Sequence, residues 1–147
     1  MNLKKINILL ADDDPGDCNF FKEALVGLPL STHFTAVHDG EQLMQLLTNE
    51  TTKLPHVLFL DINMPRKAGV ECLSEIKRNK KLNDPPVVMF STSNSWDTIN
   101  MLFKNGANVN IHKPSDFSQL KQVIHHAIPI AAENIFSSSQ LKYVLNA

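Results

Sequence analysis

No stretch of this sequence approaches the ~20 apolar residues needed to span a bilayer. The opening, Met1 to Lys5, is too short and polar for a secretion signal. A cytoplasmic protein is therefore expected. Charge of one sign is also lacking: 14 basic and 15 acidic residues give a formal net charge of −1 and are spread along the chain. That balance leaves no electrostatic footprint for nucleic acid and no polybasic patch for a membrane surface. Only two cysteines occur, Cys18 and Cys72, with neither CxxC spacing nor a histidine arrangement typical of zinc. In a reducing compartment they are expected to be free, packed thiols. Internal repeats, low-complexity tracts and long linkers are absent. The 147 residues thus predict one core, large enough to bury about two-thirds of the surface the unfolded chain would expose.

What is present is an alternation of apolar runs and helix-period segments. Ile6 to Ala11 predicts a first strand. Pro15 to Leu28 follows as a helix, with Phe20, Phe21, Ala24, Leu25 and Leu28 at helical spacing and Pro15 suited to a first turn. Thr32 to Val37, broken by polar residues, predicts an edge strand, and a helix carrying Leu43, Met44, Leu46 and Leu47 comes after Asp39-Gly40. Val57 to Leu60 leads to Asp61, and Gly69 to Asn79 makes a third helix. Pro85-Pro86 precedes a fourth strand, Val87 to Phe90, and Asn94 or Ser95 can cap a helix that stops at Asn105-Gly106. A weaker fifth strand spans Ala107 to His112, and a last helix spans about Asp116 to Ile128. Five βα units in a row predict a doubly wound parallel sheet with helices on both faces, because parallel strands need crossover connections.

If the first and third strands are neighbours, Asp12-Asp13-Asp14 and Asp61 gather at one carboxyl edge, where open α/β sheets build their sites. Carboxylates ~5 Å apart at an effective dielectric of ~20 repel by about 3 kcal/mol per ionised pair. A hard divalent cation offsets this, and magnesium favours a few carboxylates together with phosphate oxygens and water. The pattern points to phosphoryl chemistry.

Over about residues 4 to 130 the chain resembles a response-regulator receiver domain, the phosphoacceptor module of two-component signalling. The motifs are the acidic cluster after strand one, Asp61 with Met64-Pro65 and Gly69 after strand three, Ser91 after strand four, and Lys113-Pro114 after strand five. The Lys80 to Pro86 loop and Ser91-Thr92-Ser93 are more loosely similar to stand-alone receivers partnered with bacterial phytochromes. The resemblance implies a flavodoxin-like, five-stranded sheet in the order 2-1-3-4-5. It implies an aspartyl phosphate on Asp61, magnesium held by Asp12, Asp13, Asp61 and the main-chain carbonyl of Asn63, a fixed cation at Lys113, and a hydroxyl at Ser91 that moves onto the phosphoryl group. Asn63 and Ser93 would modulate phosphoryl lifetime; both are small and polar, which suggests an intermediate value. Many receivers carry an aromatic three residues before the lysine, where this chain has Asn110, so coupling is expected through Ser91 and the following loop, with Trp96 as a reporter.

The implied function is that of a single-domain regulator, phosphorylated by a sensor histidine kinase or phosphotransfer protein and acting on a downstream protein target. It would catalyse only its own phosphorylation and dephosphorylation. The expected boundaries are a receiver unit at 1–130 and a tail at 131–147 that docks on its own domain or contacts a partner or second copy, giving a homodimer. Two other functions remain open: a phosphorylation-independent adaptor, which Asn110 favours, and a small magnesium-dependent phosphohydrolase, suggested by Asp61-Ile62-Asn63. Asp12, Asp13 and Asp14 also read as turn and helix-capping acids. Asp12, Asp14 and Glu23 mimic a calcium loop, but Asp17 stands where that loop needs glycine. The adjacent His125 and His126 point in different directions on a helix, and His112 is expected to pack as a neutral imidazole.

Overall fold

The computed structural model describes residues 5–29, 31–92, 95–114, 116–135 and 143–145. In chain order the elements are β1 (Ile6–Ala11), α1 (Pro15–Val26), β2 (Thr32–Val37), α2 (Gly40–Thr48), β3 (Val57–Asp61) and α3 (Gly69–Arg78). They continue as β4 (Val87–Ser91), α4 (Trp96–Lys104), β5 (Val109–His112), α5 (Phe117–Ile135) and β6 (Tyr143–Leu145). Five strands take the expected order 2-1-3-4-5, all parallel, and β6 adds a sixth beside β5.

Period-two alternation divides the core between the sheet's two faces. Ile8, Leu10, Val57, Phe59, Val88, Phe90, Val109 and Ile111 pack on one face against α1 and α5. Leu9, Ala11, Leu58, Leu60, Val87 and Met89 pack on the other against α2, α3 and α4. Phe21 of α1 stacks edge-on over Phe59, with ring centroids 4.8 Å apart, fixing that helix above the centre of the sheet. Both cysteines are buried and free.

Local signals account for most element ends. Asp14 caps α1, its carboxylate accepting from the Gly16 N–H at 2.8 Å, and Asp39 caps α2 by accepting from the Gln42 N–H at 2.8 Å. Ser95 takes the residue before α4, and Gly106 leaves that helix with φ 107°, in the left-handed region that favours glycine. The last helix departs from its expected end at Ile128. It runs on to Ile135 through Pro129, although an interior proline typically costs ~3 kcal/mol. Leu120, Val123, Ile124, Ala127 and Ile128 are buried against the sheet, and Ile130, just beyond an exposed Pro129, packs against the same cluster. The 130/131 boundary therefore lies inside α5, and the part of the tail at 136–142 and 146–147 lies outside the described residues.

Candidate functional site

Strand register assembles the site. Ala11 faces Leu60, Asp61 faces Phe90, and Ser91 faces His112, so Asp12, Asp61, Ser91 and Lys113 all fall at the carboxyl ends of β1, β3, β4 and β5. Strand parity adds direction. Asp12, Asp61 and Lys113 continue the alternate positions that carry Leu10, Phe59 and Ile111 on the α1–α5 face. Ser91 and Asn110 share the opposite parity, with Met89.

Asp12, Asp13 and Asp61 each offer a carboxylate oxygen to one place, all three within 4.8 Å of one another. Asp12 and Asp61 are buried and Asp13 is exposed. The Asp14 N–H donates to Asp12 Oδ1 at 2.9 Å and the Asn63 N–H to Asp61 Oδ1 at 3.3 Å. Those bonds leave each Oδ2 toward Lys113, whose Nζ lies 3.0 Å from Asp12 and 3.4 Å from Asp61. Burial raises the pKa of both Asp12 and Asp61; Lys113 and backbone donors pull the other way without cancelling it. Burial by itself would lower Lys113, but hydrogen bonds to Asp17 and Asp12 and the charges of Asp12 and Asp61 outweigh it and raise the ammonium's pKa.

This donor set suits a hard cation: three converging carboxylates, two of them held above their ordinary pKa by burial, gain from a divalent ion that takes oxygen ligands. Asp14 and Glu23, the other members of the calcium-loop pattern, are not in the group. Asp14 is instead the capping acid of α1.

Close backbone approaches fix the acceptor loop. A side-chain carbon on Gly69 would overlap the Asp61 carbonyl oxygen, and one on Gly40 would overlap the Lys67 carbonyl. The Gly69 N–H donates to Ile62 O at 2.9 Å. Between them Arg66 adopts φ 68°, and its guanidinium lies 3.8 Å from Asp39. The loop after Asp61 is thereby seated on the start of α2.

Ser91 is buried, and its carbonyl accepts from the Lys113 N–H at 2.8 Å. Ser93 lies outside the described residues. Asn110 is buried; its Nδ2 reaches Ile99 O at 3.5 Å, and its Oδ1 has no hydrogen-bond partner among the described residues. His112 Nε2 sits 3.2 Å from Thr92 O, and His125 Nε2 sits 2.8 Å from Ala24 O. His126 and Trp96 are exposed.

One acid at this site was not singled out as functional by the sequence. Asp17, in the first turn of α1, lies 2.7 Å from Lys113 Nζ. Its spacing from Asp12 was visible, but a contact between the start of α1 and the end of β5 becomes apparent only once both pack on one face.

Comparison with known proteins agrees with this geometry. The family model "Response regulator receiver domain" matches residues 8–125. The chain is 29% identical over 150 residues to the probable C4-dicarboxylate response regulator DctR of Bacillus subtilis, covering 99% of this chain but only 64% of DctR. It is 29% identical to response regulator Rcp1 of Synechocystis over 80% of this chain and 82% of Rcp1, and the Mn2+-bound form of Rcp1 superposes with a TM-score of 0.76. The phosphorylated cyanobacterial phytochrome response regulator RcpA superposes with a TM-score of 0.81 at 31% identity, covering 87% of this chain and 94% of that one. A match over most of the chain, with the acidic group and Lys113 at the same sheet edge, shows that this protein belongs to the response regulator receiver domain family.

Proposed function

We propose that this response regulator accepts a phosphoryl group on Asp61 from a sensor histidine kinase or phosphotransfer protein. The reaction depends on magnesium, and the phosphorylated form signals by altered contacts with a downstream protein. The observation that carries this reading is the position of Asp61: buried at the end of β3, with Asp12 and Asp13 oxygens within 4.8 Å and the Lys113 ammonium at 3.4 Å.

Asp61 supplies a carboxylate oxygen that attacks phosphorus in line with the leaving group. The phosphorus–nitrogen bond of the donor phosphohistidine breaks, its electron pair returns to the imidazole, and an acyl phosphate forms. The Asn63 N–H on Oδ1 leaves Oδ2 facing the site and orients the nucleophile. Lys113 balances the Asp61 carboxylate before transfer and a phosphoryl oxygen afterwards. Ser91 supplies a hydroxyl to another phosphoryl oxygen. Asp12, Asp13, Asp61 and the Asn63 carbonyl would hold magnesium, which neutralises charge on the transferring oxygens. Asn63, exposed beside the acceptor, and Ser93 would set access of water to the acyl phosphate. With Asn110 in place of an aromatic, the signal runs from Ser91 through the β4–α4 loop toward Trp96. A receiver unit that takes in α5 to Ile135, a tail beyond it that contacts its own domain or a second copy, and a cytoplasmic location belong to the same reading.

The test is intact mass after incubation with acetyl phosphate, with and without magnesium, for the native chain and Asp61→Asn. A magnesium-dependent gain of about 80 Da that Asp61→Asn abolishes supports the reading. Absence of an adduct, also from a phosphorylated kinase, refutes it and favours the phosphorylation-independent adaptor. The buried Asn110 at the coupling position is the observation on that adaptor's side.

A further inference from the structure

We propose that Asp17 is a positioning residue that draws the Lys113 ammonium toward the α1 side of the site in the resting state and competes with the phosphoryl group for it. The inference rests on the proposed phosphoacceptor role of Asp61 and adds a residue that this role does not require.

An ammonium has three donor hydrogens, and Lys113 meets three carboxylates: Asp17 at 2.7 Å, Asp12 at 3.0 Å and Asp61 at 3.4 Å. Its donors are all engaged, and the shortest pairing is with the one acid that belongs neither to the converging metal-type group nor to the acceptor position. Asp17 is fixed independently. It sits in the first turn of α1, whose start is tied down by the Asp14 cap and whose body is anchored by buried Cys18, Phe21, Ala24 and Leu25. The Lys113 backbone is likewise tied, its N–H donating to Ser91 O. With both ends held, the freedom that remains is rotation of the lysine side chain between the α1 side and the acceptor side.

A phosphoryl group on Asp61 needs one of those donors. Asp61 gives up its own share when it becomes an acyl phosphate, and a cation on Asp12 would weaken that acid's hold. Asp17 keeps its charge and its place. The phosphorylated state therefore forms against a standing competitor, and removal of that competitor shifts the ammonium toward the phosphoryl oxygens.

The experiment measures beryllofluoride affinity in saturating magnesium, together with magnesium affinity, for native protein, Asp17→Asn, Asp17→Glu and Glu23→Gln. Asp17→Asn is expected to tighten beryllofluoride binding about three- to tenfold, corresponding to roughly 0.7–1.4 kcal/mol, and to change magnesium affinity by a smaller factor. Asp17→Glu, which keeps a carboxylate within reach, is expected to return toward native affinity. Glu23→Gln removes an exposed charge from the same helix without touching Lys113 and is expected to stay within about twofold of native. Unchanged or weaker beryllofluoride binding in folded Asp17→Asn overturns the proposal, as does an equal gain in Glu23→Gln. Failure of the native protein to bind beryllofluoride or to take a phosphoryl adduct instead refutes the acceptor role of Asp61, and this inference with it.

Discussion

Asp61 and Lys113 stand with Oδ2 and Nζ 3.4 Å apart although 52 residues separate them in the chain. Asp61 is also crowded by Asp12 and Asp13, and burial raises the pKa of Asp61 and Asp12. Asp61→Asn should therefore stabilise the protein in chelator by about 1–2 kcal/mol, since an ionised pair at this spacing costs up to ~3 kcal/mol before Lys113 offsets it. Addition of magnesium should stabilise the native protein more than the variant. Urea denaturation in EDTA and in magnesium checks both halves.

Replacement of the cation acts in the opposite sense. Lys113→Met leaves Asp12, Asp17 and Asp61 facing one another with no positive charge between them. A loss of about 2 kcal/mol is expected in chelator, less than for a fully buried pair because the lysine is partly exposed. The loss should shrink as magnesium is added. A deficit that magnesium leaves unaltered would show that lost side-chain packing, rather than charge, is responsible.

Lys77 provides a pH test away from the site. Its Nζ donates to Pro85 O at 3.2 Å and to Asn108 Oδ1 at 3.1 Å, and burial lowers its pKa to about 8. Between that value and the ordinary 10.5 the unfolded chain binds more protons than the folded one, so Lys77 makes stability rise with pH. Cys18 and Cys72, pushed by burial to about 11, act in the opposite direction above their ordinary value of 9.0. The unfolded thiols already begin to ionise between pH 8 and 9, so the lysine's share there is read from the difference between the native protein and Lys77→Met. Denaturation midpoints there should rise in the native protein relative to Lys77→Met.

Gly69→Ala should damage the acceptor loop. The added methyl group has no room beside the Asp61 carbonyl, so the loop must shift or the start of α3 must fray. A loss of about 2 kcal/mol is expected, within the range of backbone and overpacking mutants, together with weaker beryllofluoride binding. Thermal melts and a binding titration on the same preparation would measure both, and a variant with native values for both would refute the steric account.

Asn110→Leu should stabilise the fold. Asn110 is buried with Oδ1 lacking a partner among the described residues and Nδ2 making one long bond. An apolar replacement of similar volume removes an unsatisfied acceptor, which typically costs ~1–3 kcal/mol, so a gain of about 1 kcal/mol is expected in urea denaturation. Trp96 fluorescence on beryllofluoride addition should still change in this variant, because coupling is assigned to Ser91 and the β4–α4 loop. Loss of the response would place Asn110 on the coupling route.

The strands were legible wherever a run of apolar residues ended in a single polar residue. Val57 to Leu60 followed by Asp61, and Val87 to Phe90 followed by Ser91, define β3 and β4 almost residue for residue. The broken pattern of Thr32 to Val37 marked the edge strand β2. The convergence of Asp12, Asp13 and Asp61 followed from the order of neighbours, since parallel strands bring their carboxyl ends to one edge. Less was visible where tertiary packing overrides a local signal. The helix was expected to end at Ile128, yet α5 continues through Pro129, with Ile130 beyond it packed against the sheet core. Asp17 reads as an ordinary first-turn acid, and its role depends on which helix is laid over which strand end. β6 is three residues long, too short for periodicity to reveal.

That small strand bears on self-association. Without it β5, Val109 to His112, would present an unpaired ladder at the margin of the sheet, a template onto which another chain could add. With Tyr143, Val144 and Leu145 paired to Val109, Asn110 and Ile111, the margin moves outward to a segment offering only three residues of ladder. The opposite margin, β2, alternates half-buried and exposed positions, with His33 and Thr35 pointing outward. The β6 margin is thus a poor seed for strand addition, and a chain shortened before Tyr143 is expected to become more prone to aggregate on concentration.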